Sequence, residues 1–329
     1  MSVVQFNEFK SEAEQKRLLD LAEANTSPDE LIASIVSSAL GEEVVETTRI
    51  VRGETNEVYG IRTNQKRDII LRIGHWDKTT FQREAWAIEQ AVAVGVPVPK
   101  ILALGEHSTD VYYCVQEKLQ GTPLDSLLFS HNLPKDRAKR IVENAGEMLG
   151  RLHSIETTGW GYLSEPTKGQ HAKLDDKYSM IEAERKRIAA ALQATNLPVA
   201  DVDTILSQLK SGLQAFEGRQ RLIHGDFGPK HIFVDDNDSI TGIIDWEQAG
   251  SDDPVAEFAR WNFWFDKNSP TAWLKEGHER VAKLGDDYDE RFRIATLESA
   301  IWTLLYFTYD SPLKDCAVRA VRAIAEATA

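Results

Sequence analysis

The sequence predicts an α+β fold in two lobes, a small one built on an antiparallel sheet and a larger, mainly helical one. Three observations carry this reading. Between Thr48 and Glu117, short period-two runs alternate with turn residues and enclose one amphipathic helix. From residue 118 to 220 the apolar spacing becomes helical. Beyond Arg221, two strand-like runs flank Asp235-Asp236-Asn237-Asp238, and the second ends on an aspartate. The 329 residues suffice for two domains at roughly 150 residues each. The expected division is 1–117, a helical extension with the small lobe, and 118–329, the large lobe.

Each element has a local cause. Residues 1–40 read as helical. Ser27-Pro28-Asp29-Glu30 has the form of a capping box with proline at the first helical position, Leu31, Ile32, Ile35, Val36 and Leu40 share one face, and Gly41 ends the helix. Thr48–Arg52, Glu57–Thr63 and Asp68–Ile73 read as strands joined by Gly53-Glu54-Thr55-Asn56 and Asn64-Gln65-Lys66. A helix follows over Thr79–Val94, with Phe81, Ala85, Ile88 and Val92 inward, then strands at Ile101–Gly105 and Val111–Glu117. Ala138, Ile141, Val142, Ala145, Met148, Leu149 and Leu152 form one helical stripe. Pro166–Gln170 reads as a loop, Asp175–Ala194 and Val202–Phe216 as helices, and His231–Val234 with Ile240–Ile244 as a hairpin.

Composition excludes several classes of function. Lys and Arg number 38 against 52 Asp and Glu, a net charge of −14. Nucleic acid is not an expected partner, because phosphate binding needs a basic surplus. The longest apolar run, Ala91–Val98, is broken by Gly95 and Pro97 and falls short of the ~20 residues a spanning helix needs, so no membrane span is expected. The charged start (Glu8, Lys10, Glu12, Glu14) is unlike a signal peptide. Cys114 and Cys316 are too few for a disulfide framework or a zinc site, and a reducing cytoplasm is the expected compartment.

The chemistry concentrates in Arg221–Trp264. A kinase catalytic loop reads His-Arg-Asp, four residues, then Asn. Here His224-Gly225-Asp226 is followed by Phe227, Gly228, Pro229 and Lys230, then His231. In that pattern Asp226 orients the attacking hydroxyl and takes its proton, and Asp245, at the end of the hairpin, offers the hard oxygen that Mg²⁺ prefers. Asp226-Phe227-Gly228 also spells the kinase metal motif, but no histidine lies between His171 and His224 to supply the catalytic loop upstream. Asp226 is therefore read as the catalytic residue and Asp245 as the metal ligand.

This segment resembles the aminoglycoside phosphotransferase family of antibiotic and small-metabolite kinases, which have a bilobal protein-kinase-like fold. His224-Gly225-Asp226, Ile244-Asp245-Trp246 and Asp252-Asp253-Pro254 carry the likeness, which extends from about Arg49 to Phe265. Gly53-Glu54-Thr55-Asn56-Glu57-Val58-Tyr59 resembles the family's nucleotide-positioning loop, with Asn56 in contact with nucleotide. Leu71-Arg72-Ile73 is similar to its third strand, which implies that Arg72 is the phosphate cation, held by Glu84 of Arg83-Glu84-Ala85. Gln116-Glu117-Lys118-Leu119 resembles the adenine hinge, with Gln116, Glu117 and Leu119 as its contacts, and Leu152-His153-Ser154 the helix before the substrate region. His231 stands where most members have Asn, a position at which the macrolide kinases look to carry His, and an imidazole there suits Mn²⁺ or Zn²⁺ better than Mg²⁺. Asp252 stands where the pattern has Gly. Glu257–Phe265 and His224–Gly228 look more like hygromycin-type kinases, so the sub-family stays open.

The resemblance implies transfer of the γ-phosphoryl group of ATP or GTP to a hydroxyl of a small molecule, with Mg²⁺ or Mn²⁺. The expected acceptor is an antibiotic, an aminoglycoside or macrolide. A metabolic kinase for an amino alcohol or sugar, and a nucleotide-binding pseudokinase, are the alternatives. A cationic acceptor is expected from the carboxylates Asp175, Asp176, Asp252, Asp253, Asp286, Asp287 and Asp289.

Overall fold

The computed structural model describes residues 2–5, 12–51, 56–75, 78–129, 133–307 and 314–329. Arg52–Thr55, most of the predicted nucleotide-positioning turn, lies outside the described residues; Asn56 lies inside.

The small lobe begins with β1 (Ser2–Gln5), α1 (Glu12–Ala24) and α2 (Asp29–Leu40); residues 1–40 were expected to be helical, and β1 is a strand instead. The remaining elements are β2 (Val44–Val51), β3 (Glu57–Thr63), β4 (Asp68–Gly74), α3 (Lys78–Ala93), β5 (Ile101–Ser108) and β6 (Val111–Glu117). The strands form one sheet of order β1-β2-β3-β4-β6-β5, antiparallel except for the parallel β1–β2 pair. Side chains alternate across this sheet. Ile69, Leu71, Ile73 and Val115 point to one face and join Ile32, Ile35 and Val36 of α2 in a separate core. The intervening Arg72 and its strand partner Cys114 point the other way, towards α3.

Two local expectations fail for identifiable reasons. Ser27 does not cap α2, because its N–H and hydroxyl both donate to Glu57, at 2.7 and 2.9 Å. That buried carboxylate also accepts from Tyr59 and contacts His75, so it outcompetes the helix end for the serine. Val92 faces solvent, and Glu84, Ala87 and Ala91 take the inner face of α3 beside Phe81 and Ile88.

The large lobe contains β7 (Thr122–Pro123), α4 (Leu124–Phe129), α5 (Lys135–Leu152), β8 (Trp160–Glu165), β9 (Lys168–His171), α6 (Leu174–Ala183), α7 (Arg185–Thr195) and α8 (Val202–Leu213). It continues with β10 (Arg221–Ile223), β11 (Ile232–Val234), β12 (Ile240–Ile243), β13 (Gly250–Asp252), α9 (Val255–Phe265), α10 (Thr271–His278), α11 (Tyr288–Tyr306) and α12 (Lys314–Thr328). The expected loop at 166–170 is the turn and second strand of a hairpin, and the helix expected over 175–194 breaks at Glu184. A short 3-10 turn at Pro229–His231 precedes β11, so His231 sits just before the strand rather than in it.

The lobe's core runs from α3 through α5 to α11 and α12. α5 and α10 cross at backbone distance: a Cβ on Gly146 would come within 2.1 Å of the Leu274 carbonyl oxygen. A Cβ on Gly277 would meet the Glu143 carbonyl at 1.9 Å. No helix among the described residues is long and apolar enough to cross a membrane.

Candidate active site

Two backbone features shape the site. β10 pairs with β13, and the chain then turns sharply through Gly225 at φ +85°. A Cβ there would lie 2.0 Å from the Gln248 carbonyl, so only glycine fits between His224 and Asp226. After β12 the chain enters Asp245 in the left-handed region, at φ 71° and ψ 57°, a conformation that aspartate tolerates better than most residues.

His224 is the buried post beneath this loop. Its Nε2–H donates to the Ile244 carbonyl at 3.0 Å, and its Nδ1 accepts the Asp226 N–H at 3.2 Å. These two bonds fix one neutral tautomer, and burial, aided by the neighbouring His231, lowers its pKa to about 4. The loop is held on its other side by Glu257 of α9, which accepts the Gly225 N–H at 2.6 Å. Glu257 is 1% exposed, and burial raises its pKa to about 7.

Asp226, His231 and Asp245 converge, with one donor atom from each inside a common span of 4.8 Å. His231 Nδ1 lies 2.9 Å from the Asp226 backbone carbonyl and donates to it, which leaves Nε2 facing Asp245 Oδ2 at 3.0 Å. Lys230 Nζ contacts Asp226 Oδ2 at 2.8 Å. Desolvation works against both carboxylates, but His231, Lys230 and, for Asp245, Arg72 outweigh it and hold them below the ordinary aspartate range. The donor set suits a divalent cation. Two atoms 3.0 Å apart match neighbouring ligands meeting at a right angle with bonds of about 2.1 Å.

On the small-lobe side, Arg72 is 7% exposed and points NH1 at both oxygens of Glu84, at 2.5 and 2.6 Å. Its NH2 faces Glu247 at 3.3 Å and Asp245 at 3.6 Å. Asn56 Nδ2 donates to the same Glu247 oxygen at 2.8 Å. The turn at Trp246–Gln248 is further clasped to α3: Arg83 donates to the Glu247 carbonyl at 2.9 Å and Glu84 receives the Trp246 N–H.

The hinge residues divide. Gln116 is buried, and its Nε2 has no oxygen or nitrogen partner among the described residues. Leu119 lies over Gly242 of β12. The Glu117 side chain is exposed and its N–H is taken by the Lys100 carbonyl. His153 lies outside the site, buried with Nδ1 3.0 Å from His278 Nε2. Trp246 and Trp261 are core residues.

Several of the carboxylates expected to attract a cationic acceptor already have cations. Lys177 bridges Asp252 at 2.7 Å and Glu298 at 2.9 Å in a buried cluster. Arg291 pairs with Asp253 and Asp287, and Asp176 accepts the Lys173 N–H. Asp175, Asp286 and Asp289 are exposed.

Glu247, Glu257 and Lys230 were not singled out from the sequence. Only Glu257 had an available signal: it is the third residue of a helix that starts just after Asp253-Pro254, and it faces back towards the Gly225 turn.

A two-lobed kinase-like architecture with two aspartates and a histidine gathered opposite an arginine–glutamate pair defines a nucleotide-dependent small-molecule kinase. Residues 46–291 match the phosphotransferase enzyme family, and the chain belongs to that family. Hygromycin-B 4-O-kinase of Escherichia coli is 24% identical over 241 residues, which span 71% of this chain and 68% of that protein. Among solved structures, a thermostable mutant of the aminoglycoside phosphotransferase APH(4)-Ia in a ternary complex with ADP and hygromycin B superposes with a TM-score of 0.70 at 20% identity, covering 90% of this chain and 97% of the other. The GDP complex of aminoglycoside 2'-phosphotransferase-IIIa gives 0.61 at 16%, covering 92% and 99%.

Proposed function

We propose that this enzyme transfers the γ-phosphoryl group of ATP, with GTP as the other candidate donor, to a hydroxyl of a small antibiotic such as an aminoglycoside or macrolide. The observation that carries the reading is the meeting of Asp226, His231 and Asp245 within 4.8 Å, facing the Arg72–Glu84 pair. Residues 1–117 form the nucleotide lobe in this reading, and residues 118–329 the lobe that holds the acceptor. Cytoplasmic residence fits the nucleotide the reaction consumes.

Asp226 orients the acceptor hydroxyl and accepts its proton; the Lys230 ammonium, 2.8 Å from Oδ2, favours its ionised form for that task. Asp245 and His231 hold Mg²⁺ or Mn²⁺, which when bound screens the charge on the transferring phosphoryl group. Arg72, fixed by Glu84, offers its guanidinium to the nucleotide phosphates, and Asn56 closes over them. Gln116 and Leu119 line the base pocket. Catalysis comes from positioning and charge stabilisation, since phosphoryl transfer needs little covalent help.

A metabolic kinase acting on a sugar or amino alcohol is the second reading. It is favoured by internal ion pairs: Lys177 takes Asp252, and Arg291 takes Asp253 and Asp287, which removes three carboxylates from the set that would attract a polyamine. A cationic acceptor keeps the support of the net charge of −14.

A phosphorylation screen tests the assignment. Hygromycin B, other aminoglycosides, macrolides, amino alcohols and sugars are offered with ATP and with GTP, and acceptor-dependent release of ADP or GDP is measured. Turnover on an antibiotic hydroxyl supports the first reading and turnover on sugars or amino alcohols alone the second. Nucleotide binding without turnover on any acceptor contradicts both.

A further inference from the structure

We propose that Glu247 is a gate on the nucleotide site, a carboxylate that occupies the phosphate-binding donors and makes nucleotide binding conditional on a divalent cation. The inference rests on the phosphotransferase reading and goes beyond it to the form of nucleotide the site accepts.

Three contacts place Glu247 in that role. Arg72 spends NH1 on both oxygens of Glu84 and turns NH2 to the cleft, 3.6 Å from Asp245. That nitrogen faces Glu247 Oε2 at 3.3 Å. Asn56 Nδ2, the other small-lobe donor assigned to the phosphates, reaches the same oxygen at 2.8 Å. One carboxylate oxygen therefore satisfies two donors at once, as a phosphate oxygen would.

The backbone allows little retreat. The Glu247 carbonyl is anchored by Arg83 at 2.9 Å, and the preceding residue's N–H by Glu84. Gly74 leaves the space for Asn56: a Cβ at position 74 would lie 2.9 Å from Asn56 Oδ1 and 3.2 Å from the Phe81 ring.

A metal-free polyphosphate arriving here must take Arg72 and Asn56 from Glu247 and then sit beside both Glu247 and Asp245. Like charges brought this close in a partly desolvated cleft repel strongly. A nucleotide that arrives with its divalent cation brings the counter-charge for both carboxylates. The gate therefore selects the metal–nucleotide complex over free nucleotide.

The test is calorimetric binding of ADP to the full chain, in EDTA and in saturating Mg²⁺, for wild type and Glu247→Gln. Glutamine keeps an acceptor for Asn56 and loses the charge. Wild type is expected to bind ADP at least about 100-fold more tightly with Mg²⁺ than without. In Glu247→Gln, metal-free affinity should rise about tenfold or more, with the Mg²⁺ advantage shrinking to match. A metal-free affinity within threefold of wild type overturns the gate alone and leaves the phosphotransferase reading standing. Absence of ADP binding to wild type in Mg²⁺ overturns that reading and the gate with it. If the glutamine variant melts early, Glu247→Ala carries the same expectation.

Discussion

His231 touches both aspartates of the site. With Nδ1–H committed to the Asp226 carbonyl, a neutral ring presents a bare Nε2 beside Asp245. If that nitrogen is a ligand, His231→Ala should lose about 10- to 100-fold in turnover, as perturbed metal sites typically do. His231→Asn should retain much more, because its amide oxygen is a hard donor suited to Mg²⁺. The ratio of Mn²⁺- to Mg²⁺-supported rates should then be higher in wild type than in the asparagine variant. Equal rates for the two variants, with an unmoved ratio, would mean that His231 only props the loop. Glu257 supports a second expectation at this scale. Its pKa is raised from 4.5 to about 7, so the folded state holds a proton that the unfolded chain releases earlier. Its contribution to stability is whole below about pH 4.5 and is lost as pH rises through about 7, a swing of about 3 kcal/mol. Glu257→Gln keeps an acceptor for the Gly225 N–H and has no proton to lose. Denaturant melts should therefore show wild type losing stability relative to the variant between about pH 4.5 and 7; parallel pH profiles would contradict this. Asp226, Asp245 and the Arg72–Glu84 pair could be picked out in the sequence because motif spacing or strand–helix separation marks them. Glu247 could not, since its role comes from a contact with Asn56 across the cleft between the lobes.

Among the elements, the strands of the small lobe were readable because one face of the sheet is buried against α2 and the period-two pattern is strong. The hairpin at 160–171 was not, because glycine at 159, 161 and 169 leaves little alternation to see. Ser27 carries a helix-start signature, yet a buried glutamate thirty residues away claims it. The α5–α10 crossing was equally hidden, since nothing in the α5 stripe announces which glycine meets a backbone. It yields a prediction with a definite sign. Replacing a helical glycine by alanine normally stabilises by up to about 1 kcal/mol. At Gly146 the new methyl group would lie 2.1 Å from the Leu274 carbonyl oxygen, a backbone atom that cannot swing aside. Overpacking of this kind costs about 1–3 kcal/mol or more, so Gly146→Ala should lower the denaturation midpoint. An unchanged or raised midpoint would show that the two helices can separate at no cost.

Across the whole molecule, the lobes are joined at the chemistry itself. Asn56, Arg72 and Arg83 reach from the small lobe to the Asp245–Glu247 turn, and Arg83 also donates to the Leu163 carbonyl at 3.2 Å. Nucleotide and acceptor would therefore meet where the two halves already touch. The central claim is that Asp226 serves the acceptor hydroxyl and not the nucleotide. The direct measurement compares wild type and Asp226→Asn for turnover, on the acceptor returned by the screen, and for ADP affinity in Mg²⁺. The account predicts a fall in turnover of about 100-fold or more, the scale of a lost general base, with ADP affinity nearly unchanged. Turnover within threefold of wild type would contradict it.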